Sequence, residues 1–248
     1  MVRTLLIRGM LVGVLAGLLA FGFGEVFGEP SIDSAIAFED QTHQDQTHQD
    51  QTHQSMGMEP EMELVSREVQ STIGLFTGVV VYGAALGGLF ALSFAYAYGR
   101  LGHLAPRGVS ALLASLGFIA LVLVPALTYP PNPPAVGEPD TIGHRTALYF
   151  AMMLISLIGV TVAVAFGRRL VDRAGLWNAV IVAGAAFVAI VVVAQFLLPT
   201  VNEVPEHFPA VVLWRFRVAS LGMQVILWTT IGLVFGALTE RSLTTRRA

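Results

Sequence analysis

"LLIRGMLVGVLAGLLAFGFGEVF", residues 5–27, decides the class of this protein. Between Arg8 and Glu25 it carries no charge, and crossing a bilayer takes about 20 apolar residues. It is also rich in glycine, which weakens a helix in water. Gly9, Gly13 and Gly17 stand four apart, the spacing at which two helices approach backbone to backbone inside a membrane. The stretch reads as a membrane helix built to touch another helix closely.

The rest of the 248 residues agrees: 54% are hydrophobic, 12% are charged, and the mean hydropathy is +0.69. A soluble domain carries about 25% charged residues. The apolar runs predict an all-α integral membrane protein, a six-helix bundle crossing the bilayer at 1–27 (apolar from residue 5), 73–98, 109–129, 147–167, 177–198 and 218–238. Between them lie an acidic, His-bearing loop at 28–72, a Pro-rich loop at 130–145, a third loop at 199–217 on the same side, and a tail at 239–248. Tyr129, Tyr149, Trp177 and Trp214 fall near span ends, as interfacial aromatics do. The first span could serve as a signal peptide, with "AIA" (35–37) as its cleavage site. That tripeptide lies about ten residues beyond the apolar run, so the reading keeps the segment as a span.

Arginine placement sets orientation. All fourteen basic residues are Arg. With the N-terminus inside, ten lie on the cytoplasmic side and Arg67, Arg145, Arg215 and Arg217 lie outside. Both termini are therefore expected in the cytoplasm, with the chain multi-pass in the cytoplasmic (inner) membrane. The acids sort the other way, fifteen outside and two (Asp172 and Glu240) inside. Such a face attracts cations. No cysteine is present, so a metal must be held by imidazole, carboxylate, thioether or backbone oxygen.

The chain also looks duplicated. "AYAYGRLG" (95–102) answers to "AVAFGRRL" (163–170), and "LTYPPNPP" (127–134) to "LLPTVNEVP" (197–205). Two helices per unit preserve direction, so the expected repeat is parallel, a common transporter architecture.

The candidate metal ligands are Glu25, Asp140, His144, Glu203 and His207. Glu25 sits at the membrane boundary, where an unpartnered carboxylate is costly. Glu25, Glu29 and Asp33 would share a helical face, though Pro30 predicts a break with Ser31 capping a short new helix. Asp140 and His144 are four apart, as are Glu203 and His207, a spacing that brings two side chains to one ion on a helix. Asp140 reads equally as the N-cap of the fourth span. The thrice-repeated "DQTHQ" (40–54) spaces His43, His48 and His53 by five, which is not one helical face. Its composition argues for disorder and for an auxiliary metal collector or an inert expansion. Arg145, Arg215 and Arg217 precede returning helices, where they either snorkel to phosphates or pin the loops through carboxylates.

"YPPNPPAVGEPDTIGHR" (129–145), "NEVPEHFPAVVLWRFRVASLGMQ" (202–224) and the N-terminal 5–39 stretch resemble the CbtA family of predicted cobalt transporter subunits. The likeness covers essentially the whole chain; the triplicated "DQTHQ" is the departure from it. The resemblance implies cobalt uptake linked to cobalamin synthesis, with Co2+ (or Ni2+) as cargo, and a small one-span partner, CbtB. It implies no required cofactor and no nucleic acid; beyond the ion and that partner, membrane lipid is the remaining contact. No Walker A motif is present. The readings kept beside transport are a metal-binding membrane scaffold or sensor, and a membrane-embedded metal enzyme around Asp140, His144, Glu203 and His207.

Overall fold

The computed structural model describes residues 2–50, 66–101, 104–137 and 139–245. The architecture is helical, with no strand among the described residues. Five helices are long and apolar enough to cross a membrane: α1 (Val2–Phe27), α3 (Arg67–Ala97), α4 (Pro106–Thr128), α5 (Ile142–Leu197) and α6 (Ala210–Thr244). A polar helix, α2 (Glu29–Asp50), lies between the first two.

The glycines of α1 meet those of α3. A Cβ added at Gly9 would lie 2.3 Å from the Gly87 carbonyl oxygen, and one at Gly13 would lie 2.1 Å from that of Gly83. The converse holds for Gly83 and Gly87, while Gly17 faces Val79 and Val80. The two helices run antiparallel and share one seam where no side chain fits. Close approach without side chains maximises dispersion and allows Cα–H···O contacts.

α6 completes this core against α1 and α4. Ser110 donates to the Gly232 carbonyl at 2.6 Å. Trp228 covers Gly117. Phe235 meets Phe90 and Phe94 edge-on at 5.5 and 5.2 Å. α4 contains Pro125, which lacks an N–H and crowds the preceding turn; a π-helical turn at Ile119–Leu123 takes up that mismatch. At the end that holds both termini, Arg8 donates to the Ser242 hydroxyl at 2.9 Å and Arg107 pairs with Glu240 at 3.2 Å. The opposite end is called distal below.

α5 spans 56 residues, but Gly175 within it has φ 77° and ψ 163°. Residues 167 and 183 would be about 24 Å apart on an unbroken helix. A Cβ on Gly167 would instead lie 3.0 Å from that of Ala183, and Gly159 faces Phe187 and Ile190. The chain therefore folds back at Gly175 into two antiparallel arms. The hairpin joins the remainder through Val124 and Tyr129, against Leu148, Met152 and Ala194.

Other boundaries differ from the sequence reading. The break after α1 falls at Gly28, not Pro30. Pro30 occupies the first turn of α2, where a missing N–H costs nothing, so Ser31 is inside the helix and not its cap. The helical backbone of α2 runs on to Asp50 through the first two "DQTHQ" copies, where composition argues for disorder. α6 begins at Ala210, so Arg215 and Arg217 are helical rather than in a loop.

The α1–α3 seam predicts a sharp contrast. Gly13→Ala places a methyl where a carbonyl already sits and should destabilise the protein by about 1–3 kcal/mol. Gly22 has open space around it, and Gly22→Ala should be neutral or mildly stabilising. Detergent-induced unfolding of the two variants, followed by circular dichroism, measures the difference.

Candidate functional site at the distal end

Three segments converge at the distal end: α2, the 129–141 loop and the 198–209 loop. Ala35, Val136 and Phe208 form a small buried cluster between them, and Phe38 meets Phe208 at 5.1 Å. Tyr129 donates from its hydroxyl to the Pro199 carbonyl at 2.8 Å, tying the two loops together. Burial raises the Tyr129 phenol above its usual pKa, so it remains a donor at any physiological pH.

The 129–141 loop is shaped by its backbone. Ala135 has φ 65° and Gly137 φ 137°. A Cβ at Gly137 would stand 2.8 Å from Arg145 Nη1 and 3.2 Å from Glu203 Oε2. Glycine is thus required there twice over, by dihedral and by space. Against it, Arg145 donates to Glu203 Oε2 at 2.8 Å, and the Thr141 hydroxyl donates to Oε1 at 2.5 Å. The Glu203 side chain is 7% exposed and accepts one hydrogen bond from a cation and one from a neutral hydroxyl.

A second ionic cluster lies where α1, α2 and α3 meet. Arg67 bonds Glu29, and Asp33 at 3.0 Å. Burial pushes the Glu29 carboxyl above its usual range, with Asp33 and Glu25 adding to the rise and Arg67 opposing it. Oε2 of Glu25 is buried without a hydrogen-bond partner.

The candidate ligands are distributed as follows. Asp140 lies in the 3₁₀ turn Pro139–Thr141 and His144 in the first turn of α5, both exposed. His207 is exposed in the 198–209 loop, just before buried Phe208. Glu203 faces Arg145 and Thr141, and Glu25 belongs to the Arg67 cluster. Among the described residues, no three His, Asp or Glu side chains converge on one point. His43 and His48 are on α2, whose side chains are not described there; His53 lies outside the described residues. Arg217 donates to the Pro131 carbonyl at 3.3 Å and to Asn132 Oδ1 at 2.9 Å, and Arg215 is exposed on α6. Sequence spacing did not single out Thr141 or Gly137, whose importance arises only when Glu203 is folded back onto α5. The glycine at 137, set in a Pro-rich stretch, was the available signal.

A family model described as "Probable cobalt transporter subunit (CbtA)" matches residues 2–240. Comparison with curated proteins and with solved structures gives no match.

Two predictions follow the geometry. Arg145→Gln and Glu203→Gln should each destabilise the fold by about 1–3 kcal/mol, and the double variant by clearly less than their sum; thermal unfolding of the four proteins closes the cycle. For Glu29, a raised folded-state pKa favours the protonated form. Its contribution to stability is then fully present below its ordinary value of 4.5 and is lost as pH rises through the raised value. Removing the opposing cation in Arg67→Met should extend that loss to higher pH, so Tm measured upward from pH 4.5 should fall further in the variant than in the parent.

Proposed function

The chain belongs to the CbtA family, and on that premise we propose that it is the membrane subunit of a cobalt uptake system that supplies cobalamin synthesis. The observation that carries this reading is the family match over residues 2–240, nearly the whole chain. The apolar helices and the acidic distal end are consistent with it.

In this reading α5 counts as two crossings about Gly175, making six, arranged as a parallel repeat of helix pairs. Both termini are cytoplasmic and the distal end faces outward, following the arginine bias. The outward carboxylates raise the local cation concentration. Exposed Asp140, His144 and His207 offer oxygen and imidazole to a divalent ion, the donors that suit Co2+ and equally Ni2+. Glu25 supplies a further carboxylate, and His43, His48 and His53 act as an auxiliary collector. Glu203 is engaged with Arg145, so an arriving dication must draw it away. Capture and loosening of the two loops are then one event. Arg145, Arg215 and Arg217 hold these loops in place between events. A membrane potential of 100 mV supplies about 4.6 kcal/mol for two charges moving inward, at roughly 2.3 per charge. The protein needs no resident cofactor, acts without catalysis, and works with the small one-span CbtB partner.

Uptake of radioactive cobalt by cells lacking their own importers tests this, with and without the partner. Glu203→Gln should lower uptake at least about tenfold at equal membrane abundance, a loss of about 1.4 kcal/mol. His144→Ala and His207→Ala should raise the half-saturating cobalt concentration, and deletion of 40–54 should leave saturated uptake intact. Binding of cobalt without accumulation in any of these cells would replace transport with a scaffold or sensor role.

A further inference from the structure

A cavity of about 650 Å³ opens near the distal end between α4, the start of α5 and α6. Its walls are aliphatic toward the bundle's middle, through Leu123, Leu127, Val218 and Leu221, and polar above. Leu127 and Trp214 at its mouth are each 69% exposed, so the opening faces the surroundings of the bundle and not its core.

Its charge is unusual for this end of the molecule. Arg145 lines it but is neutralised by Glu203. Arg217 lines it too, and its two acceptors, the Pro131 carbonyl and Asn132 Oδ1, are both neutral. No Asp or Glu pairs with it among the described residues, and its Nη1 has no acceptor there. A guanidinium seven residues inside an apolar helix is costly without a counter-ion. Two turns deeper on the same helix, Oε1 of Gln224 is buried in the cavity wall without a partner. The two ends of an amide are assigned from their hydrogen bonds, so this position can equally present the N–H donors. The cavity thus offers a positive charge at its head, an unused amide two turns deeper, and an aliphatic wall between and beside them.

These features exclude a bare divalent cation, which Arg217 repels. A small soluble anion would leave the aliphatic wall unused. We propose that the cavity is a binding site for an anionic glycerophospholipid. The phosphate oxygens accept from Arg217, an ester carbonyl accepts from the Gln224 amide, and an acyl chain runs along Leu123 and Leu221. The site is separate from the metal reading and survives its failure.

The test is thermal unfolding of the full chain in a neutral detergent, with added phosphatidylglycerol, phosphatidylcholine or glycerol 1-phosphate. Phosphatidylglycerol at about ten times its Kd should raise Tm by about 3–5 °C, with little shift from the other two. Arg217→Gln should abolish the difference, and Arg215→Gln, two residues away on the other side of the helix and exposed, should keep it. Because Arg217 also holds the Pro131–Asn132 segment, Ala126→Trp provides the second arm. It fills the cavity while leaving the guanidinium, and it should also abolish the difference while keeping the lipid-free Tm near that of the parent. An equal response to phosphatidylcholine, or a response that persists in both Arg217→Gln and Ala126→Trp, overturns the proposal. An equal shift from glycerol 1-phosphate overturns the lipid as source and leaves a soluble phosphate in its place.

Discussion

The backbone-to-backbone seam between α1 and α3 is the constraint on which the bundle depends. Inside a bilayer the hydrophobic effect does not favour helix against helix over helix against lipid. Association must come from packing, and packing improves as the helix axes approach. Gly9 and Gly13 against Gly87 and Gly83 bring carbonyl oxygens to where side chains would begin. With that distance fixed, the outer flanks of the pair form a surface that α4 and α6 can cover. Phe90 and Phe94 then project from α3 onto Phe235, and Ser110 and Gly117 of α4 receive Gly232 and Trp228 of α6.

The distal end is held by a different chemistry. Its loops have few apolar residues to bury, and the Ala35–Val136–Phe208 cluster gives them a dry centre. Around it, arginines carried on helices reach carboxylates or carbonyls of other segments: Arg67 to Glu29 and Asp33, Arg145 to Glu203, and Arg217 to Pro131 and Asn132. Each arginine thus joins parts of the chain far apart in sequence. The acidity of this end is partly engaged in those ties, and Asp140, His144 and His207 are among the residues left exposed to water.

The sequence made the helical class legible because charge-free runs of this length have no other use, and the four-residue glycine spacing pointed to the seam itself. The helix boundaries were less legible. Pro30 looked like a breaker, yet a proline in the first turn breaks nothing, and the one-residue interruption falls at Gly28. The candidate ligands were read from a spacing of four, which brings side chains together only on a continuous helix. Glu203 and His207 lie in an irregular loop, and Asp140 and His144 straddle the change from a 3₁₀ turn to α5, so spacing lost its meaning at both. The Arg145–Glu203 pair depends on contact across 58 positions, which no local pattern encodes.

α1 rests on α3 and also on α6, where Gly24 meets Met223 and Gly222 meets Phe23, and Arg8 reaches Ser242. Part of the surface of α1 is therefore covered by a helix made long after it. The α1–α3 pair can form as soon as α3 has entered the membrane, but α4 lacks its cover of Trp228 and Gly232 until α6 has been made. Ribosomal order thus leaves an incomplete bundle waiting in the bilayer, with the Ser110 hydroxyl without its acceptor on α6. The growing chain has to be kept from other partners for that interval, and the docking of α6 onto α1 and α4 is the step that ends it.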